Sequence, residues 1–139
     1  MNVTWSQLVR PGKKDFGVYT IDQYDQWQGM RTQSAWDAKQ AASAQSLRGC
    51  IAQATADGVM FGIDECGPVH KTYGAGDNPQ YFISMLGEIT KTKEITERCA
   101  WWSLYNHQGA PPDMYHDIAH NPRAYDELAR RFAALRAPA

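Results

Sequence analysis

Two neighbouring acids, Asp64 and Glu65, close the apolar run Val59-Met-Phe-Gly-Ile63, and they are the side chains in this chain best placed to do chemistry. A strand burying Val59, Met60, Phe61 and Ile63 gains nothing from ending on two carboxylates unless it emerges where charge is used. Two other segments end in the same way. Asp22-Gln-Tyr-Asp25 follows the β-branched and aromatic run Val18-Tyr-Thr-Ile21, and Trp101-Trp-Ser-Leu-Tyr-Asn-His107 follows Cys99-Ala100. Carboxylate, phenol and indole together are the usual equipment for sugars. Carboxylates attack or protonate at the glycosidic bond and bind hydroxyls, while aromatic faces stack on the C–H surface of a pyranose.

Each of these residues has a plainer reading. An acid after an apolar strand is, taken alone, usually a loop residue, and Asp22 and Asp25 are as well suited to turns or caps as to a ligand. By strand alternation Asp64 points away from Glu65, and Trp101 and Trp102 face opposite sides, so only one of the two indoles lines a site. Asp22 and Tyr24 share the face of Val18 and Thr20, taken as interior. His107 follows its strand closely enough to touch a substrate, whereas Tyr19, Phe61 and Phe82 read as core. His116 and His120 have the i, i+4 spacing of a helical metal pair, but they sit beside Asn121-Pro122 with no third ligand signalled nearby, so no metal is expected. The segment Tyr73-Gly-Ala-Gly-Asp77 lacks the lysine and spacing of a phosphate-binding loop, and no cofactor is implied.

Positioning such residues at one rim requires strands that all end on the same side. The spacing predicts a strand over Asp15–Ile21, a helix from about Ser34 to Asp57, and a strand over Val59–Asp64. A helix over 79–92 follows, opened by Asn78 as cap with Pro79 at its first position. A strand over Arg98–Tyr105 comes next, and then a helix over 123–135 with Asn121-Pro122 repeating the device. The order β-α-β-α-β-α predicts an α/β fold of three parallel βα units, because a parallel crossover needs a helix to carry the chain back. In such sheets ligands gather at the carboxyl ends of the strands.

The 139 residues are 43% hydrophobic and 21% charged, ordinary values for one globular domain spanning 1–139. A formal net charge of −1 with scattered Lys and Arg leaves no electrostatic footprint for nucleic acid or an anionic membrane, so neither partner is expected. No apolar window reaches membrane-span length, and the first residues, MNVTWSQLVRPGKK, contain no apolar core of signal-peptide length. The default expectation is a cytoplasmic chain, with secretion of a parent enzyme left open. Three cysteines, Cys50, Cys66 and Cys99, cannot all pair and show no zinc spacing, which favours a reducing compartment.

The segments DFGVYTIDQYDQW, VMFGIDECGP, GDNPQYFISML and CAWWSLYNH, in this order and spacing, resemble strands six to eight of the clan A (β/α)₈ glycoside hydrolases, closest to the family 26 β-mannanases. The resemblance implies part of a TIM barrel and a retaining mechanism acting on a β-linked polysaccharide or oligosaccharide. It implies Glu65 as nucleophile, Tyr24 as the phenol that hydrogen-bonds and orients it, and Trp101 or Trp102 as the platform beneath the sugar. Asp22 and His107 complete the expected substrate-binding set.

The family's acid/base lies at the end of strand four, which these residues do not include. A full barrel of this type takes about 250 residues and eight βα units. The expectation is therefore a β-1,4-mannanase-like chain that carries the nucleophile but not its proton donor. Glycosidase activity of the chain by itself should be negligible. Its uncovered sheet face would meet an N-terminal barrel portion or a second copy of itself. The alternative is a non-catalytic remnant or carbohydrate-binding protein that keeps the aromatic rim.

Overall fold

The computed structural model describes residues 17–25, 30–69, 74–105 and 116–136, the side chains of 135 and 136 excepted. Among them are three strands, β1 (Val18–Tyr24), β2 (Met60–Gly67) and β3 (Cys99–Leu104). Five helices accompany them: α1 (Gln33–Ala41), α2 (Leu47–Asp57), α3 (Pro79–Ile89), α4 (Lys93–Arg98) and α5 (Pro122–Arg136). The strands form one open parallel sheet in the order β1-β2-β3, so each crossover returns through helix to a strand beside the last.

One face of the sheet is covered. Tyr19, Phe61, Ile63 and Cys66 enter a single core with Trp36, Cys50, Ile51 and Ala54 from α1 and α2, Tyr81, Phe82 and Met85 from α3, and Ala124 and Leu128 from α5. Phe61 and Ile63 are fully buried, and each such side chain removed from water stabilises the fold by about 1.5–3 kcal/mol. Glu88 is buried in the same layer with its charge satisfied, accepting from the Trp36 indole at 3.1 Å and from Arg48 Nε at 2.7 Å. That pairing ties α1, α2 and α3 together behind the sheet.

The elements differ from their sequence-based bounds in instructive places. β1 runs on to Tyr24 and β2 to Gly67, so Asp22, Tyr24 and Glu65 lie within strands rather than after them. The expected single helix over Ser34–Asp57 is two. Ser46 opens α2 by accepting the Gly49 N–H at 3.1 Å while its own hydroxyl donates to the Gln40 carbonyl at 2.8 Å, a turn that ends α1. The short α4 has no buried residue and hence no apolar period to betray it.

Neither Asn-Pro pair caps as expected. Asn78 occupies the cap position of α3, but its amide donates to Asp25 at 2.8 Å and to the Met30 carbonyl at 2.9 Å, not to its helix. At α5 the first-turn amides of Arg123 and Ala124 are held by the Asp77 carboxylate at 3.0 and 2.8 Å, while Asn121 donates to the Asp117 carbonyl at 3.0 Å. At α5 a long-range carboxylate supplies what a local cap was expected to supply, while at α3 the cap side chain is taken up by long-range partners.

Candidate functional site

The site begins with one extra residue in β2. Ile21 pairs with Ile63 and Asp22 with Glu65, so Asp64 has no counterpart on β1, and the ladder to β3 shifts over the same stretch, from Ile63–Trp102 to Cys66–Leu104. In a regular strand Glu65 would share the face of Ile63 and point into the helix-covered core. The bulge turns it to the other side, and both acids are exposed there. The alternation expected for Asp64 and Glu65 is thereby corrected. They share the open face.

Tyr24, on the neighbouring strand, donates its phenol O–H to Glu65 Oε2. Burial raises the Tyr24 pKa first, and the hydrogen bond and charge of Glu65 raise it further, so the phenol stays protonated and stays a donor. Asp22 stands directly across the ladder from Glu65. Desolvation, followed by the charges of Glu65 and Asp64, pushes its carboxyl above the ordinary carboxylate value.

The two indoles separate as alternation demands, and the structure chooses between them. Trp101 lies on the open face over Gly62, 42% exposed, with its N–H on Asp64 Oδ1 at 3.0 Å. A Cβ at residue 62 would come within 2.7 Å of the indole ring, so the glycine provides the space the ring fills. Trp102 goes to the helix side, stacked on Phe132 with centroids 5.3 Å apart and planes 5° apart. It does not join Glu65. His107 lies outside the described residues.

Two aromatic rings not singled out for the site stand behind Tyr24. Tyr105 meets it edge-on at 5.9 Å, and the buried His116 lies 5.0 Å from Tyr24 and 5.1 Å from Tyr105. The position of Tyr105, two past Ser103 and four past Trp101, could have flagged it by strand alternation. His116 arrives from the turn before α5 and carries no local signal. His120 instead pairs with Asp117 at 2.8 Å, and that contact helps hold the Asp117 carboxyl below its usual range against the opposing effect of burial.

Asp25 proves to be an internal strut. It is fully buried, accepting from Asn78 and from the Met30 amide at 3.0 Å. Among the described residues no group of three or more His, Cys, Asp or Glu side chains is arranged to hold a metal ion, and no helix is long and apolar enough to cross a membrane.

One carboxylate oriented by a neutral phenol, with an exposed indole on the same face, can act as an oriented nucleophile beside a sugar-stacking surface. Compared with protein family models, curated proteins and solved structures, the chain finds no match.

Proposed function

We propose that these residues are strands six to eight of a (β/α)₈ barrel belonging to a retaining β-glycanase of the mannanase type. Glu65 is its nucleophile, Tyr24 the group that orients it, and Trp101 the platform beneath the sugar. The observation that carries this reading is the Tyr24–Glu65 hydrogen bond across β1 and β2, on the sheet face that the described helices leave open and that Trp101 shares. In a barrel that face is the interior, and the carboxyl ends of the strands form the floor of the active site.

In the first half-reaction Glu65 attacks the anomeric carbon while the glycosidic C–O bond breaks and the departing oxygen takes a proton from a second carboxyl group. Water then cleaves the glycosyl ester with that group acting as base. Retention places the two carboxyl groups about 5–5.5 Å apart. By the family resemblance the second carboxyl stands at the end of strand four, which is not among the three described strands. The exposed Trp101 indole also favours a second reading, a carbohydrate-binding surface without chemistry.

An activated fluorinated β-mannoside separates these readings, because its dinitrophenolate leaves without needing a proton donor. Incubation with the chain should add one fluoroglycosyl group to the peptide containing Glu65, seen by mass spectrometry, and Glu65→Gln should abolish the adduct. Binding of manno-oligosaccharides without labelling would favour the binding surface. Neither binding nor labelling would overturn both.

A further inference from the structure

His116 is buried at 3% exposure, far in sequence from β1, yet its ring packs against Tyr24, whose phenol donates to Glu65. The residue is fastened at two points, one on its ring and one on its main chain. Its Nδ1 lies 3.1 Å from the Pro68 carbonyl oxygen just past β2, and its main-chain carbonyl accepts the Tyr125 hydroxyl of α5 at 2.8 Å. A carbonyl only accepts, so the first contact is a hydrogen bond with the proton on Nδ1. That bond sets both tautomer and ring orientation.

The ring lies beside Gly67, the ladder partner of Tyr24. A Cβ there would come 3.2 Å from the Tyr105 carbonyl oxygen, 3.7 Å from His116 Nδ1 and 3.8 Å from His116 Cβ. Where a side chain at 67 would stand beside Tyr24, the fold instead places an imidazole from a different element. Tyr105 stands edge-on to the phenol and 5.1 Å from the imidazole, so the two rings make one wall behind Tyr24. A tyrosine ring swings about two torsions, and a wall packed against it restricts that freedom.

We propose that His116 is a positioning residue for Tyr24. Its imidazole, locked onto Pro68, backs the phenol ring so that the hydroxyl stays on Glu65. The consequence for catalysis rests on the glycosidase reading above, but the positioning itself is testable without turnover.

The test uses the full chain labelled with fluorotyrosine, the Tyr24 fluorine resonance being assigned by its loss in Tyr24→Phe and the buried Tyr81 resonance reporting on the core. Glu65→Gln should shift the Tyr24 resonance in the parent chain. In His116→Asn, which keeps an N–H for Pro68 but loses the ring, that response should vanish while the Tyr81 resonance stays. In His116→Phe, which keeps a ring, it should be retained. A response that persists in His116→Asn, or one lost in His116→Phe with Tyr81 intact, overturns the proposal. Should His116→Asn fail to fold, His116→Gln, which also keeps an N–H and loses the ring, takes its place and is read by the same outcomes. A chain that takes no fluoroglycosyl label at Glu65, with these fluorine responses intact, would count against the glycosidase reading and leave the role of His116 standing.

Discussion

The carboxylate of Asp77, on the loop after β2, closes the amino end of α5 by accepting the Ala124 N–H at 2.8 Å. A second bond from the Arg123 amide makes the cap two-pronged. An anion at this end of a 15-residue helix is favoured by the helix dipole and by the unsatisfied amides of the first turn. Asp77→Ala should therefore lower stability by about 1 kcal/mol, the usual cost of a lost cap. Urea unfolding followed by circular dichroism measures this, and an unchanged midpoint would show that α5 does not depend on the loop.

The Tyr24–Glu65 pair makes a prediction about the phenol. Because the hydrogen bond and charge of Glu65 help to hold the Tyr24 pKa up, Glu65→Gln should move it down, with burial keeping it above the ordinary tyrosine value. Alkaline absorbance titration, with Tyr24→Phe subtracted, isolates the group. A midpoint indifferent to residue 65 would mean that the two side chains do not meet.

Gly62→Ala probes the indole platform. The new methyl group would sit 2.7 Å from Trp101 Cε2, and the half-exposed ring can swing outward to relieve it. Stability should fall by only about 1 kcal/mol, the low end of overpacking costs. The bond to Asp64 should be lost, seen as a red shift in the fluorescence assigned to Trp101 by comparison with Trp101→Phe. Manno-oligosaccharide binding should weaken in parallel.

Asp22 gives a pH dependence. A carboxyl whose folded-state pKa is raised above its unfolded value near 3.8 binds more protons when folded. Its contribution is fully favourable below that value and is lost as pH rises through the raised one, leaving a penalty at neutral pH. Asp22→Asn removes the penalty, so its urea midpoint should exceed that of the parent chain at neutral pH and converge with it in acid. A lower midpoint for Asp22→Asn at neutral pH would show that the carboxylate stabilises the fold.

The order of strands and helices was legible because its signals are local. β-branched runs, the Ala-rich stretch and the Asn-Pro pairs each mark an element within a few residues. What escaped depends on distant partners. Asn78 has the type and place of a cap but is claimed by Asp25, more than 50 residues earlier. Alternation said that Trp101 and Trp102 diverge, yet which one shared the open face with Glu65 required knowing that Phe132 covers the other side. The same rule misplaced Asp64, because a bulge suspends alternation and leaves no mark in composition. His116 was visible only as half of a metal spacing, since no strand or helix period in the sequence runs through it to connect it with Tyr24.

The unpaired Asp64 makes β2 one residue longer than its neighbours require over that stretch. Excising it would restore an even ladder with Glu65 still opposite Asp22 and Cys66 still facing inward. Excising Ile63 instead, with its partner positions full on both flanks, would drag a charged group toward the oily layer beneath the helices. A single-codon deletion is thus tolerated at one position in this strand and ruinous next door, which makes the bulge the place where evolution can shorten the segment without turning it inside out.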